Sequence, residues 1–373
     1  MANGSTLAGG AALFSWGGAA KNLTLRDFTF DVNNMAVTGT GLATLMSFQE
    51  GSPTVRSLSI IHVGTPTAPA QLYVMSCAHC QNWVVEDNYI QLTTASQTVQ
   101  TKGIAEIAAA FLQNVGGSIR NNTLVNTNML LNCVSQYTIT GNDVSGWGVG
   151  AGIGLGFVGT NCNSSNNTIS NNSLHDSQPN QDMFSIAPNG IENWGDRTVI
   201  QGNRIWNNAG AAVANGGQNS IISGNEAWDN NVALTAGGGA AYGANRSSAT
   251  VNADGSTYIG NKAWDSGVGR QNYGFADQTL VNNITVLNND FSRVVTAPYL
   301  INSSSTTVNK LDPLFTSAMT LTKLGSAPAA GPGAGIVKVF AVAGTNAGSC
   351  KIQAQAGTSA TPVTLADNIG SGC

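Results

Sequence analysis

The chain has 373 residues, of which 42% are hydrophobic and only 9% charged, with 45 glycines and a net charge of −4. Enough apolar residues are present for a sizeable core, which excludes the disordered class, where charge replaces apolar side chains. No Lys/Arg cluster and no bilayer-length apolar run occurs, so nucleic acid and membrane insertion are excluded as partners.

From the N-terminus, Ala12 to Asp31 alternates apolar and polar residues in short runs, the pattern of half-buried strands. Cys77 and Cys80 flank His79 in a Cys-x-x-Cys pair, but no second pair completes a zinc site. They read as buried small hydrophobes, and no metal or other cofactor is expected. One unit then recurs: a β-branched strand, an asparagine, a second short strand, a turn, and a glycine-led third strand. Loose copies centre on Asn88, Asn122, Asn142 and Asn172, clear ones on Asn203, Asn225 and Asn261, and a last one on Asn289. Successive copies are ~20 to 36 residues apart, a constant core with one turn of variable length.

No unit can bury its inner side alone. Stacked, the units share one core, and equivalent positions line up in columns. Aligned asparagines can then hydrogen-bond along the stack, at a bend that suits a residue tolerating left-handed backbone angles. Trp206, Trp228 and Trp264 form another column, outward by alternation with Ile205, Ala227 and Ala263 unless the register slips by one. The expected fold is therefore all-β, a right-handed parallel β-helix over residues 1–307. Residues 308–335 read as a linker or crossing segment. Candidate strands at Ile336 to Ala343, Cys350 to Gln355 and Pro362 to Ala366 make a small β module over 336–373. Such a module is too small to fold alone, so it either packs with copies from other chains or caps the last coil.

These asparagine-led units, with third strands such as Gly190-Ile-Glu-Asn-Trp-Gly, resemble the repeat of pectate-lyase-like parallel β-helix proteins. The run from Ala12 to Asp31 resembles early coils of phage tailspike depolymerases. The resemblance implies a homotrimer on a virus tail that binds bacterial capsule or lipopolysaccharide and cleaves it by glycosidic hydrolysis or β-elimination. A non-catalytic adhesin and a secreted polysaccharide lyase or epimerase are the alternatives. The opening residues lack the basic and apolar regions of a secretory signal, which favours the virion over secretion.

In such folds the third strands form the face along which sugars bind. Aligning Gly152 to Gly156, Gly190 to Trp194 and Gly210 to Ala214, with Ile153, Ile191 and Ala211 inward, sends Glu192 and Trp194 outward. Glu192 then stands between Gly154 and Ala212, and Trp194 between Gly156 and Ala214. An indole can stack on a sugar's C–H surface, and a carboxylate can move a proton at the bridging oxygen. Hydrolysis normally takes two carboxyl groups. The candidates to join Glu192 are Asp196, and Asp176 and Asp182 in the long preceding turn. Arg197 and Arg204 are candidates to bind a sugar carboxylate. His175, next to Asp176, reads either as a general base or as a ring stacked beneath Trp206. Trp206 and Trp228 belong either to a sugar track or to a buried seam between subunits.

Overall fold

A three-residue strand with one inward side chain buries little, so each coil gains its core from the coils on either side. The computed structural model describes residues 6–17, 22–64, 70–94, 101–106, 113–156, 164–178, 188–232, 239–246, 251–309, 337–343, 350–356 and 361–369. The chain divides into two compact units, Met1–Lys310 and Leu311–Cys373.

The first unit is a right-handed parallel β-helix, as the sequence resemblance implies. Its coils contribute strands to three parallel sheets of 11, 10 and 11 strands. The first sheet runs from Thr24–Arg26 to Thr307–Asn309, the second from Thr29–Asp31 to Asp290–Arg293, and the third from Ala12–Trp16 to Ala297–Leu300. Inward positions stay in register from coil to coil. Ile139, Ile169, Ile200 and Ile222 align in the first sheet, and Val144, Leu174, Ile205, Ala227 and Ala263 in the second. All of these are buried in one continuous core.

The asparagines Asn88, Asn122, Asn142, Asn172, Asn203, Asn225, Asn261 and Asn289 occupy the bend between the first and second sheets. Each Oδ1 beyond Asn88 accepts from the backbone N–H and the Nδ2 of the asparagine one coil earlier, the Nδ2 bonds measuring 2.9–3.0 Å. Every Nδ2 also reaches a backbone carbonyl of the first sheet, such as Ile169 O for Asn203. This is the expected ladder, with one correction. The left-handed backbone belongs to the residue before each asparagine: Asp87, Asn121, Gly141, Asn171, Gly202, Gly224, Gly260 and Asn288. The asparagines are selected by the hydrogen bonds, and their neighbours by the turn.

Packing explains why third strands open on glycine. A methyl group at Gly190 would lie 2.4 Å from Ile205 Cγ2, and one at Gly152 would lie 2.9 Å from Leu174 Cδ2. In both cases the second-sheet residue of the next coil is among the atoms met, beside a backbone carbonyl of that coil. Where that residue is Ala227, the position is held by Ala212, not by glycine.

Cys77 and Cys80 are buried, but they are paired with each other as a disulfide, not as two independent small hydrophobes. In the second unit, Val337–Ala343, Cys350–Ala356 and Val363–Ile369 form an antiparallel three-stranded sheet.

A carboxylate and an indole on the third sheet as candidate functional site

The strand Ile191–Asn193 sits in the middle of the third sheet. Ile191 aligns with Ile153 and Val213 and points into the core, so Glu192 faces outward, between Gly154 and Ala214. The neighbour on the later side is thus Ala214, two residues beyond the expected Ala212. The cause is the packing at Ala212, which takes the lead position that glycine holds in the two earlier coils. Trp194 follows on the same side, and its partners shift accordingly. Its backbone adjoins Gly156, and its ring lies over Gly216, where a methyl group would come 2.0 Å from Cζ3. The indole Nε1–H donates to Glu192 Oε1 at 2.7 Å. Both side chains are half-buried. The result is a carboxylate with one oxygen fixed by an indole, and an indole laid on glycine backbone.

The other expected residues do not assemble around this pair. Asp196 lies beyond the strand, in the corner leading to the first sheet, and its Oδ1 accepts the Gln218 backbone N–H at 3.0 Å. Arg197 is exposed in the same corner, with its Nε donating to Asn166 Oδ1 at 2.9 Å. Arg204 belongs to the second sheet, beside Glu226, with its Cζ 6.0 and 5.5 Å from the ring centroids of Trp206 and Trp228. Asp182 lies outside the described residues. Among those residues, no group of three or more His, Cys, Asp or Glu is arranged to hold a metal ion.

His175, Trp206, Trp228 and Trp264 stack in one column on the second sheet, with centroids 4.3, 4.9 and 4.9 Å apart and planes within 11° of parallel. Each inner ring has both faces covered by its neighbours, so a sugar meets only ring edges there. Of the two readings for His175, the stacked one is observed. Its Nδ1 is 2.7 Å from Asp176 Oδ2 and its Nε2 is 3.1 Å from Asp143 Oδ1. Burial lowers the ring's pKa, but the two carboxylates outweigh burial and hold it above the ordinary value. The ring caps the indole stack with both nitrogens facing carboxylates, so neither is open towards a ligand.

Solved structures resemble this chain. They include the Dettilon tailspike protein, 14% identical with a TM-score of 0.47 over 90% of this chain and 69% of that one. An Azotobacter vinelandii mannuronan C-5 epimerase A-module is 14% identical, with a TM-score of 0.46 over 77% of this chain and 85% of that one. The Siphovirus 9NA tailspike receptor binding domain is 11% identical, with a TM-score of 0.29 over 92% of this chain and 82% of that one. No protein-family profile and no curated protein matches the chain.

Two residues that support the pair escaped the sequence reading. Asn193, between Glu192 and Trp194, turns inward and is fully buried. Its Nδ2 donates to Asn215 Oδ1 at 2.7 Å and to Gly195 O, while its Oδ1 accepts the Gly195 N–H. It ties down the backbone just where the strand carries its outward carboxylate. The shared ending of Ile191-Glu-Asn193 and Val213-Ala-Asn215 was the available signal, and it also gives the correct register.

Proposed function

We propose that the chain is a phage tailspike depolymerase. It lays a bacterial surface polysaccharide along the third sheet and cleaves it, with Glu192 moving the proton at the bridging oxygen. The Glu192–Trp194 pair carries this reading. Residues two apart on a strand are separated by about 6.6 Å. A sugar ring stacked on the outer face of Trp194 therefore brings an adjoining glycosidic oxygen towards the carboxylate. Gly154, Ala214 and Gly216 keep the floor low, so a polymer can approach the backbone closely. Asp182, which precedes this strand in sequence, is the proposed second carboxyl group, since Asp196 is engaged by Gln218 and Asp176 by His175. The antiparallel sheet of the second unit is proposed to join three chains into a homotrimer.

A second reading, attachment without cleavage, is favoured by the engagement of Asp196 by Gln218 and of Asp176 by His175, away from the Glu192–Trp194 pair. One experiment separates the two. Host polysaccharide is incubated with the protein while new reducing ends and the ultraviolet band of unsaturated sugars are followed. Cleavage by wild type, lost by about 10²- to 10⁴-fold in Glu192→Gln with binding retained, is the expected result. Full activity in Glu192→Gln removes the site, and tight binding with no cleavage by wild type leaves attachment.

A further inference from the structure

Asn245 follows the strand Ala240–Ala244 on the third sheet, two rungs beyond the Glu192–Trp194 pair. The register runs from Glu192 to Ala214 to Gly243. Beside it, backbone bonds from Gly216 N–H to Asn193 O and from Asn245 N–H to Asn215 O set Trp194, Gly216 and Asn245 in a parallel column. Tyr242 and Ala244 are buried and inward, so Gly243 faces outward like Glu192. The Asn245 side chain folds back over that outward side, since a methyl group on Gly243 would meet Asn245 Oδ1 at 3.2 Å. Its backbone is fixed twice, the N–H donating to Asn215 O at 2.7 Å and the C=O accepting from Ala253 N–H at 3.0 Å. The residue is half-buried, yet among the described residues its side-chain amide has no hydrogen-bond partner. The inward asparagines of the adjoining column differ. Asn193 and Asn215 commit their amides to each other and to backbone.

Rungs of the sheet are about 4.8 Å apart. The Trp194 indole already reaches one rung on, with its six-membered ring over Gly216. The amide therefore lies one rung beyond that ring and two rungs, about 10 Å, beyond the carboxylate. Ala214 and Gly216 keep the floor between them low. A sugar stacked on the indole has Glu192 on one side and this amide on the other. A half-buried amide is partly stripped of water, so it gains most from a ligand group that satisfies both its donor and its acceptor. A neutral sugar group that itself donates and accepts does so: a hydroxyl pair or an acetamido substituent. A carboxylate or phosphate offers acceptors alone and leaves Oδ1 facing them. We infer, resting on the proposed function, that Asn245 is a specificity-determining residue of the sugar-binding face. Its amide reads a neutral donor-and-acceptor group on the sugar that adjoins the one stacked on Trp194. Glu192 supplies the chemistry, and Asn245 selects which sugar is placed beside it.

The test uses the intact chain and two sets of purified bacterial surface polysaccharides, one rich in acetamido sugars and one carrying hydroxyl groups without them. Dissociation constants are measured for wild type, Asn245→Ala and Asn245→Asp against each chain that wild type binds, alongside thermal midpoints. Asn245→Asp keeps the shape of the side chain but replaces its donor by a second acceptor. Both variants should keep the wild-type midpoint and bind about fivefold or more weakly. Loss confined to the acetamido set identifies the acetamido group as what is read, and loss on the other set identifies the hydroxyl pair. Wild-type affinity in Asn245→Ala overturns the inference while leaving the carbohydrate reading intact. Wild-type affinity in Asn245→Asp beside a loss in Asn245→Ala overturns the paired donor and acceptor. A midpoint lowered by about 4 °C or more in Asn245→Ala marks a structural residue and overturns the inference as well. Binding of neither set by wild type overturns both the inference and the proposed function.

Discussion

Single residues show where alternation can be trusted and where it cannot. Glu192 and Trp194 were legible as outward because Ile191 beside them is inward, and the structure keeps that parity. Asn193 was not, because a polar residue facing the core breaks the rule that inner positions are apolar, and only its ladder with Asn215 makes it tolerable. His175 yields a prediction with a definite sign. Held between Asp143 and Asp176, its pKa is above the ordinary value of 6.5, so the folded chain binds this proton more tightly than the unfolded chain. The stabilisation is fully present below pH 6.5 and is lost as pH rises through the folded value. Thermal midpoints of wild type should therefore fall relative to His175→Gln between about pH 6 and about pH 8. Parallel curves for the two proteins would show that the carboxylates do not hold the ring charged.

Among elements, the asparagine bend and the tryptophan column were readable because each repeats one residue type at one rung. The glycine-led strand misled by two residues because glycine there answers to the bulk of Leu174 or Ile205 in the next coil. Once that residue shrinks to Ala227, the marker disappears though the strand remains. Residues 179–187 have no repeat to align with, so nothing in the sequence locates Asp182. Hydrogen bonding at the bend is the element-scale quantity to measure. Asn203 accepts twice from Asn172 and donates to Asn225 Oδ1 and Ile169 O. Each buried group left unpaired costs roughly 1–3 kcal/mol. Leu58 fills the same rung at the foot of the ladder: its backbone N–H donates to Asn88 Oδ1, but its side chain makes no hydrogen bonds, yet it packs at 2% exposure. Asn203→Leu therefore keeps the volume while removing the bonds, and chemical denaturation should register a loss of about 3 kcal/mol or more. A loss within about 0.5 kcal/mol would mean that shape, not hydrogen bonding, selects asparagine.

At the scale of the whole molecule, charge is segregated by face: the second sheet is ion-rich, whereas Lys102, Glu106 and Asp277 on the strands of the third are buried. A solenoid makes such segregation possible, since each sheet is a separate column of positions running the full length of the stack. The second unit poses a different problem. Its sheet has three seven-residue strands, Val337–Ala343, Cys350–Ala356 and Val363–Ile369, paired only through the middle one. Among the described residues the two outer strands each keep an unpaired edge, and so small a sheet buries too little apolar surface to offset its own ordering. Copies from neighbouring chains can supply the missing surface, and a cyclic arrangement closes the contact where an open one would grow without limit. Size-exclusion chromatography with light scattering should accordingly return three times the chain mass of 38.2 kDa, unchanged on dilution through the micromolar range. A particle of one chain mass at those concentrations would leave the sheet without partners and remove the trimer.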